Sequence, residues 1–352
     1  MPGITIIGSG THTPGKPVTN HDLMRVMDTN DAWIQKRTGI RQRHYADEGE
    51  GVSDLATKAA EKAIASAGIT AQDIDYIIFA TMTPDYIFPG SGGITGANLG
   101  IPGVPALDIR QQCAAMPFAF QVADGLVNTG AAKHILVIGA EAHAGFMPWS
   151  DWDILYDTNS TPATGEAWDR ATRHRSLAIL FGDGAGALVM KKSDKEGYGL
   201  IGAEIHTDGR EYNKIYMPGG GFRRRPHWSA EMLQNEEHLP LMDGKELFKH
   251  AVTKLPAVVK SLCAKHNVSF DDIDIVIPHQ ANERINRSVA KALELPEHKV
   301  ASNIERFGNT SGATIPILVD ELRRENRVSE GDLALFVALG SGLHWGAALM
   351  RL

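Results

Sequence analysis

Cys113, His279 and Asn309 are the residues of this chain whose types and settings could do chemistry together. Cys113 lies in DIRQQCAAMPFAF (Asp108–Phe120), where a strand-like run gives way to a helix-like one. Amide dipoles at a helix N-terminus stabilise a thiolate and lower a thiol's pKa, so a cysteine there is poised as a nucleophile. The position also suits a small buried hydrophobe, the commoner role of a free cysteine. His279 follows an apolar run in IVIPHQANERI, in a Pro-His-Gln-Ala-Asn turn before a helix. Strand ends beside helix starts are where α/β folds place catalytic groups. With 14 histidines in the chain, a lone one more often serves structure; its setting singles this one out. Asn309, in NIERFGNTSGATIP, either turns the chain or offers an amide donor to an oxyanion. A thiol, an imidazole and an amide, each at an element edge, form a set able to run nucleophilic catalysis. The other cysteine, Cys263 in VVKSLCAKHN, sits inside a helical stretch and reads as structural.

The elements that must position these residues alternate along the chain. Ile4–Gly8, Ile74–Ala80, Ala106–Ile109 and His134–Gly139 read as strands. Ser53–Ala67 reads as a helix that Ser53 caps and Gly68 stops, and Ala114–Asn128 reads as another, followed by Gly130. Leu177–Met190 contains FGDGAGALVM, a glycine turn and then a strand. The alternation predicts an α/β fold with buried central strands. The grammar repeats about 200 residues later. QDIDYIIFA (Gln72–Ala80) is echoed by DDIDIVIPH (Asp271–His279), and HILVIGA (His134–Ala140) by LALFVALG (Leu333–Gly340). A tandem duplication of one α/β unit follows, with halves at residues 1–193 and 194–352 and a site at their seam. The first half carries the cysteine, the second the histidine and asparagine. One stretch, Gly145–His174, has no clean period and is rich in Trp, Asp and Thr. It reads as a long loop or lid, or as a mobile surface insertion.

Bulk composition narrows the classes. The chain is 43% hydrophobic and 22% charged, an ordinary globular balance. A net charge of −7 offers no basic field for nucleic acid. Two cysteines build no disulfide framework, and no C-x-x-C pair points to zinc, so no metal is expected. No signal-peptide pattern opens the chain and no apolar run approaches about 18 residues, so a cytoplasmic protein with no membrane span is expected. Papain-type proteases also use Cys, His and Asn in this order, but their Cys-Gly-Ser-Cys-Trp signature is missing.

Six blocks carry a resemblance. They are DTNDAWIQKRTGIRQRH (Asp28–His44), the Cys113 segment, FGDGAGA (Phe181–Ala187), PHQANERI (Pro278–Ile285), RFGNTSGA (Arg306–Ala313) and GSGLHWGAALMRL (Gly340–Leu352). Nearly end to end, the chain resembles the β-ketoacyl-acyl-carrier-protein synthase III family of the thiolase superfamily. The resemblance implies a thiolase-like, duplicated, five-layered αβαβα fold and a homodimer. It implies that Cys113 takes an acyl group from acyl-CoA, and that a malonyl thioester, on CoA or on acyl carrier protein, then loses carbon dioxide. His279 and Asn309 donate to its thioester oxygen, and the carbanion attacks the acyl-cysteine to give a 3-ketoacyl thioester. The backbone N–H groups of Cys113 and Ser341 form the oxyanion hole, with Gly340 and Gly342 letting that turn come close.

No permanently bound cofactor is implied; the ligand is the phosphopantetheine arm of coenzyme A or of the carrier protein. By resemblance, Trp33 stacks on adenine, Arg37 and Arg284 hold phosphates, and Asn282 contacts the arm. Arg284, Arg287 and Lys291 fall at helical spacing and form either a carrier-protein docking stripe or a solvated face. Phe88 is similar to the residue that a neighbouring subunit inserts at the end of the acyl pocket, and Met116 is placed on that pocket's wall. The chain departs from the family in Ala114, Ala115, Met116 and Pro117 after the nucleophile, and in Ser341 in place of a glycine. It departs most in the 145–174 insertion, whose Arg170, Arg173 and Arg175 compete to supply an arginine against adenine. Gln111-Gln112 resembles the branch serving secondary metabolism, such as alkylquinolone synthesis. Two further readings stay open: an acyl-cysteine enzyme with another acceptor, and a non-catalytic acyl-thioester-binding partner subunit.

Overall fold

Strands that are apolar on both faces need cover on both sides, and the chain supplies that cover in five layers. The computed structural model describes residues 2–352. One mixed sheet contains β1 (Ile4–His12), β2 (Tyr76–Ala80), β3 (Ala106–Ile109), β4 (His134–Glu141) and β5 (Gly184–Lys192), in the order β1-β5-β4-β2-β3. The other contains β6 (Gly199–Thr207), β7 (Ile275–Pro278), β8 (Leu333–Gly340) and β9 (His344–Arg351), in the order β7-β8-β9-β6. Strand directions repeat between them. β2 runs parallel to β4, which is antiparallel to β5, itself antiparallel to β1. β7 runs parallel to β8, which is antiparallel to β9, itself antiparallel to β6. The two pairs of echoing segments therefore occupy matching places in the two sheets.

The helices that bear on the site and the layers are α1 (Asp31–Thr38), α2 (Val52–Ser66), α3 (Ala115–Asn128), α4 (Gly165–Arg173), α5 (Gly244–Lys265), α6 (Glu283–Ala292) and α7 (Thr314–Arg324); Ser91–Asn98 and several shorter segments are also helical. Alternate strand residues face opposite ways. Ile78, Ile135 and Val137 of the first sheet, with Ile277, Phe336 and Met350 of the second, pack on α3 and α7 in the middle layer. Ile77, Phe79, Leu136 and Ile138 face α2 on one outside. Leu335, Val337 and Leu349 face α5 on the other. The sequence expectation of a five-layered αβαβα fold is met.

Two local expectations need correction. Helix α2 begins before Ser53: Gly51 is its N-cap, with the Gly51 N–H donating to Asp54 Oδ2 at 2.9 Å. The Ser53 hydroxyl instead donates to Asp85 at 3.0 Å. Nor is 145–174 a structureless loop. Phe146, Met147, Trp149 and Ile154 are buried in one apolar cluster with Tyr45 and Phe181, and α4 is flanked by single helical turns at Asp153–Tyr156 and Arg175–Ala178. A four-residue helix is about one turn, too short to show a 3.6-residue period.

Candidate active site

The two central helices start against each other. The chain enters α3 through the 3-10 turn Gln112–Ala114 and α7 through the 3-10 turn Ser311–Ala313. Each turn opens on a left-handed non-glycine residue, Gln112 at φ 52° and Ser311 at φ 47°. Such backbone strain persists only where its surroundings impose it, and it gathers at functional sites. Glycines let the turns close on the sheets. A Cβ on Gly139 of β4 would fall 2.2 Å from Gly312 O, and one on Gly340 of β8 would fall 2.8 Å from the backbone nitrogens of both Cys113 and Ala114.

At this junction Ser311 and Thr314 link the three candidate residues by hydrogen bonds, and of the three only Cys113 lines the cavity described below. The Cys113 thiol donates to Ser311 Oγ at 3.3 Å. The Ser311 N–H donates to Asn309 Oδ1 at 2.8 Å, so the amide nitrogen of Asn309 is the end left to donate. His279 is buried just beyond β7, its N–H on Val337 O at 2.9 Å and its Nδ1 2.7 Å from Thr314 Oγ1. Thr314 Oγ1 also lies 3.0 Å from Ser311 O. One hydroxyl proton thus has two acceptors. Turned to Ser311 O, it leaves Nδ1 protonated and Nε2 a base. Turned to Nδ1, it leaves Nε2–H a donor.

Electrostatics correct one expectation. Cys113 is not a preformed thiolate. Burial pushes its thiol up to about 12, and the charge of Glu141 adds to that, while the Ser311 hydroxyl pulls the other way. Desolvation is the largest of these effects. Burial pushes His279 down to about 3, so its ring is neutral at physiological pH. Sequence reading missed Glu141, which ends β4 and is fully buried. Its carboxylate accepts from Thr83 Oγ1 at 2.7 Å, Met82 N at 3.0 Å and Gly312 N at 3.3 Å, pinning the Ser311–Ala313 turn. Burial raises its pKa. Ser311 and Thr314 were also missed, because only the fold turns them toward the cysteine and the histidine. Asp183 of the FGDGAGA block is structural, accepting backbone N–H groups from Ala46 and His143.

A cavity of about 1010 Å³ opens beside Cys113, walled by Met82, Phe146, Trp152, Ile215 and Ser341 among others. A depression of about 1050 Å³ along β1 holds none of the candidate residues. Met116 does not reach the cavity; it is buried in the core beside α7, because the Gln112–Ala114 turn rotates it inward. Phe88 does not line its own chain's cavity either and is 77% exposed. The Ser341 hydroxyl donates to Ile215 O at 2.6 Å.

On α1, the Arg37 guanidinium lies over the Trp33 ring at 4.3 Å, and that of Arg175 at 4.9 Å. Arg170 and Arg173 are engaged elsewhere, on Glu236. Asn282 caps α6, accepting from Arg284 N at 2.9 Å, and donates to Arg37 O at 2.8 Å. Arg284, Arg287 and Lys291 are exposed along α6, with Arg287 paired to Glu283 at 2.7 Å. Among the described residues, no group of three or more His, Cys, Asp or Glu is placed to hold a metal ion, and no helix is long and apolar enough to cross a membrane.

Comparison with known proteins adds to this geometry. Residues 107–209 match the profile of 3-oxoacyl-[acyl-carrier-protein] synthase III, and residues 263–352 match the profile of that family's C-terminal part. The chain is 38% identical over 349 residues to the β-ketoacyl-[acyl-carrier-protein] synthase III of Rhodospirillum centenum, covering 98% of each chain. The chain belongs to the 3-oxoacyl-[acyl-carrier-protein] synthase III family. The synthase III of Rhizorhabdus wittichii is 39% identical over 346 residues, again 98% of each chain. The crystal structure of 3-oxoacyl-[acyl-carrier-protein] synthase III from Aquifex aeolicus superposes with a TM-score of 0.84 at 35% identity, covering 99% of this chain and 100% of that one. The fold is thus the thiolase-like fold of synthase III, and the protein is a condensing acyltransferase of the synthase III type.

Proposed function

We propose that Cys113 is the acyl carrier of this synthase III and that His279 and Asn309 run the decarboxylative half of its cycle. The observation that carries this reading is the meeting of the two helix-entry turns. Cys113 bonds Ser311, and the Ser311 N–H fixes the amide of Asn309. In the first half, Cys113 Sγ attacks the thioester carbonyl of an acyl-CoA. Its proton leaves to His279 Nε2, with Thr314 turned to Ser311 O, and passes to the departing CoA sulfur. A thiol held at about 12 needs such a base. The backbone N–H groups of Cys113 and Ser341 hold the tetrahedral oxyanion.

In the second half, a malonyl thioester loses carbon dioxide, and the C–C bond electrons pass into an enolate. Asn309 Nδ2 and His279 Nε2–H, with Thr314 turned to Nδ1, donate to the enolate oxygen. The enolate carbon then attacks the acyl-cysteine, and Cys113 leaves as a thiolate that takes one proton from solvent. The malonyl carrier is acyl carrier protein or CoA. The exposed stripe Arg284, Arg287 and Lys291 fits an acidic carrier, against the −7 charge of the whole chain. Trp33 and Arg175 would flank adenine, with Arg37 and Arg284 on phosphate and Asn282 near the arm.

A homodimer fits the free edge of the first sheet. β3 pairs only with β2 in that sheet, Leu107 on it is exposed, and exposed Tyr86, Ile87 and Phe88 come just before Ser91, whose N–H donates to Asp108 of β3 at 2.7 Å. Pairing two such edges would remove them and deliver Phe88 to a partner's cavity.

Intact-protein mass spectrometry after mixing with acyl-CoA thioesters tests the central claim. The expected outcome is one acyl adduct, lost in Cys113→Ala and discharged by malonyl thioester with release of carbon dioxide. An adduct that ignores malonyl donors would give the acyl group another acceptor. No adduct with any thioester would leave only acyl-thioester binding.

A further inference from the structure

The turn between β8 and β9 and the wall of the cavity beside Cys113 meet at one residue. Ser341 lies in that turn, and it lines the cavity with Ile215, Tyr216 and Met217. Its hydroxyl donates to Ile215 O at 2.6 Å. A carbonyl only accepts, so the direction of the bond is fixed. The stretch after β6 leaves the turn at Asp208, whose N–H donates to Leu343 O at 2.8 Å and whose carbonyl accepts from Leu343 N at 3.0 Å. It runs through the 3-10 segment Gly209–Lys214 and returns to the turn at Ile215. The Ser341 hydroxyl closes that loop.

The two sides of this bond differ in stiffness. The turn ends a hairpin paired from Gly340 opposite His344 down to Leu333 opposite Arg351, inside the second sheet. Thr207 Oγ1, at the end of β6, lies 2.8 Å from His344 Nδ1 and braces the same turn. The wall is held by far less. Ile215–Tyr216 pairs with Leu241–Met242 alone, two residues on two, as a separate two-stranded sheet. Two strands by themselves are marginally stable even at greater length. Tyr212 and Met217, on either side of the pair, are exposed. A bond between a stiff part and a soft part orders the soft one. The hydroxyl therefore sets the wall, while the hairpin sets the turn.

We infer that the Ser341 hydroxyl is a positioning group that fixes the Ile215–Met217 wall and thereby governs which acyl chains acylate Cys113. The effect is local. In the proposed cycle the Ser341 N–H holds the thioester oxygen, so the wall fixed by the same residue borders the first carbons of the acyl chain. A wall that cannot yield makes a misplaced methyl force side chains or backbone out of place, and a wall that yields does not. The position that carries a glycine in the family by resemblance thus does two things in this chain: its backbone faces the carbonyl and its side chain shapes the space beside it.

This inference rests on acylation of Cys113, and two measurements separate the two. The first needs no substrate. Hydrogen exchange over residues 212–218, followed by mass spectrometry, should run about 5-fold faster in Ser341→Ala, the scale of one lost hydrogen bond. Ser341→Thr keeps a hydroxyl and should restore the slower exchange. The second is kcat/KM for self-acylation with three five-carbon thioesters: pentanoyl-CoA, 2-methylbutanoyl-CoA and 3-methylbutanoyl-CoA. The wild-type protein should separate straight from branched chains by about 10-fold or more, the scale of one methyl in a fitted pocket. Ser341→Ala should shrink that ratio to about 2-fold or less, and Ser341→Thr should recover it. Disturbance of the N–H acts on every thioester alike, so the ratio isolates the wall. Unchanged exchange in Ser341→Ala overturns the inference. So does a wild-type protein that does not separate the three chains, or an equal loss for all three in Ser341→Ala, and either leaves the proposed function standing. Should Ser341→Ala fail to fold, Ser341→Gly removes the hydroxyl by a second route and is judged by the same two measurements. No adduct with any thioester in the wild-type protein sinks the proposed function and the specificity with it, and the exchange result then shows whether Ser341 still fixes the wall.

Discussion

The entrances to α3 and α7 share a backbone and differ in side chains. Both are 3-10 turns that start on a strained residue, Gln112 or Ser311, and both rest against the neighbouring sheet where a glycine admits them. The second position is Cys113 in one turn and Gly312 in the other. In the proposed cycle, one turn supplies the attacking sulfur, and the other supplies groups that orient it. Ser311 bonds the thiol, its N–H fixes Asn309, and Thr314 holds His279. A duplicated frame has put reaction and orientation on opposite sides of one axis of contact. The two turns meet through one side-chain bond, Cys113 Sγ to Ser311 Oγ.

The sharpest way to break this division is to remove the orienting side. His279→Ala and Asn309→Ala should each lower condensation by about 10²–10³-fold, the scale for losing one donor to a developing oxyanion. Asn309→Ala should leave the yield of acyl-cysteine near that of the unaltered protein. Single-turnover mass spectrometry with acyl-CoA, followed by a malonyl thioester chase, separates the two halves. Equal loss of acylation and condensation in Asn309→Ala would show that the asparagine orients the sulfur rather than the enolate.

The attacking side can be read by pH. Alkylation by iodoacetamide needs the thiolate. With the Cys113 thiol raised by burial to about 12, the thiolate fraction below that value grows about tenfold per pH unit. Alkylation of folded protein should therefore climb from pH 7 to 10 without a plateau. In denatured protein it should level off near the ordinary thiol value. A plateau below pH 8 in the folded state would mean that the helix-end field overrides burial, as the position of Cys113 in the sequence first implied.

The sequence was most informative where a pattern is local. Buried strands showed as apolar runs, and the duplication showed as two echoes with a common offset, while the order of strands within each sheet came only from the structure. Cys113, His279 and Asn309 could be proposed from the sequence because each sits at a strand or helix edge beside distinctive neighbours. What failed depended on distance through space. Glu141 is one more residue on an apolar strand until Thr83 and Gly312 are known to face it. Met116 lies three residues from Cys113 yet points into the core, because a 3-10 turn rotates the chain between them. The 145–174 stretch hid its structure because its helical turns are short and its order comes from packing Trp149 and Phe146 on Tyr45 and Phe181. The sign of the Cys113 shift was missed because desolvation depends on every atom around the sulfur, and a motif records only those along the chain.

The smallest expected effect compares two glycines at the junction. Gly340→Ala places a Cβ 2.8 Å from the backbone nitrogens of Cys113 and Ala114, atoms that cannot yield without moving Cys113. Gly312→Ala places its Cβ no nearer than 3.4 Å, from Gln112 O, with Glu141 Oε1 at 3.5 Å, which is ordinary contact. Gly340→Ala should thus lower acylation of Cys113 by about 10-fold or more, on the scale that small misplacements of reacting groups produce. Gly312→Ala should change stability by no more than about 1 kcal/mol in denaturant titration and condensation by less than about 3-fold. The position opposite Cys113 would then lack a side chain because the orienting turn has no use for one, rather than because space forbids it. A loss above about 2 kcal/mol in Gly312→Ala would reverse that conclusion. The turn would have no slack at all, and the division between an attacking and an orienting side would come from sterics as much as from chemistry.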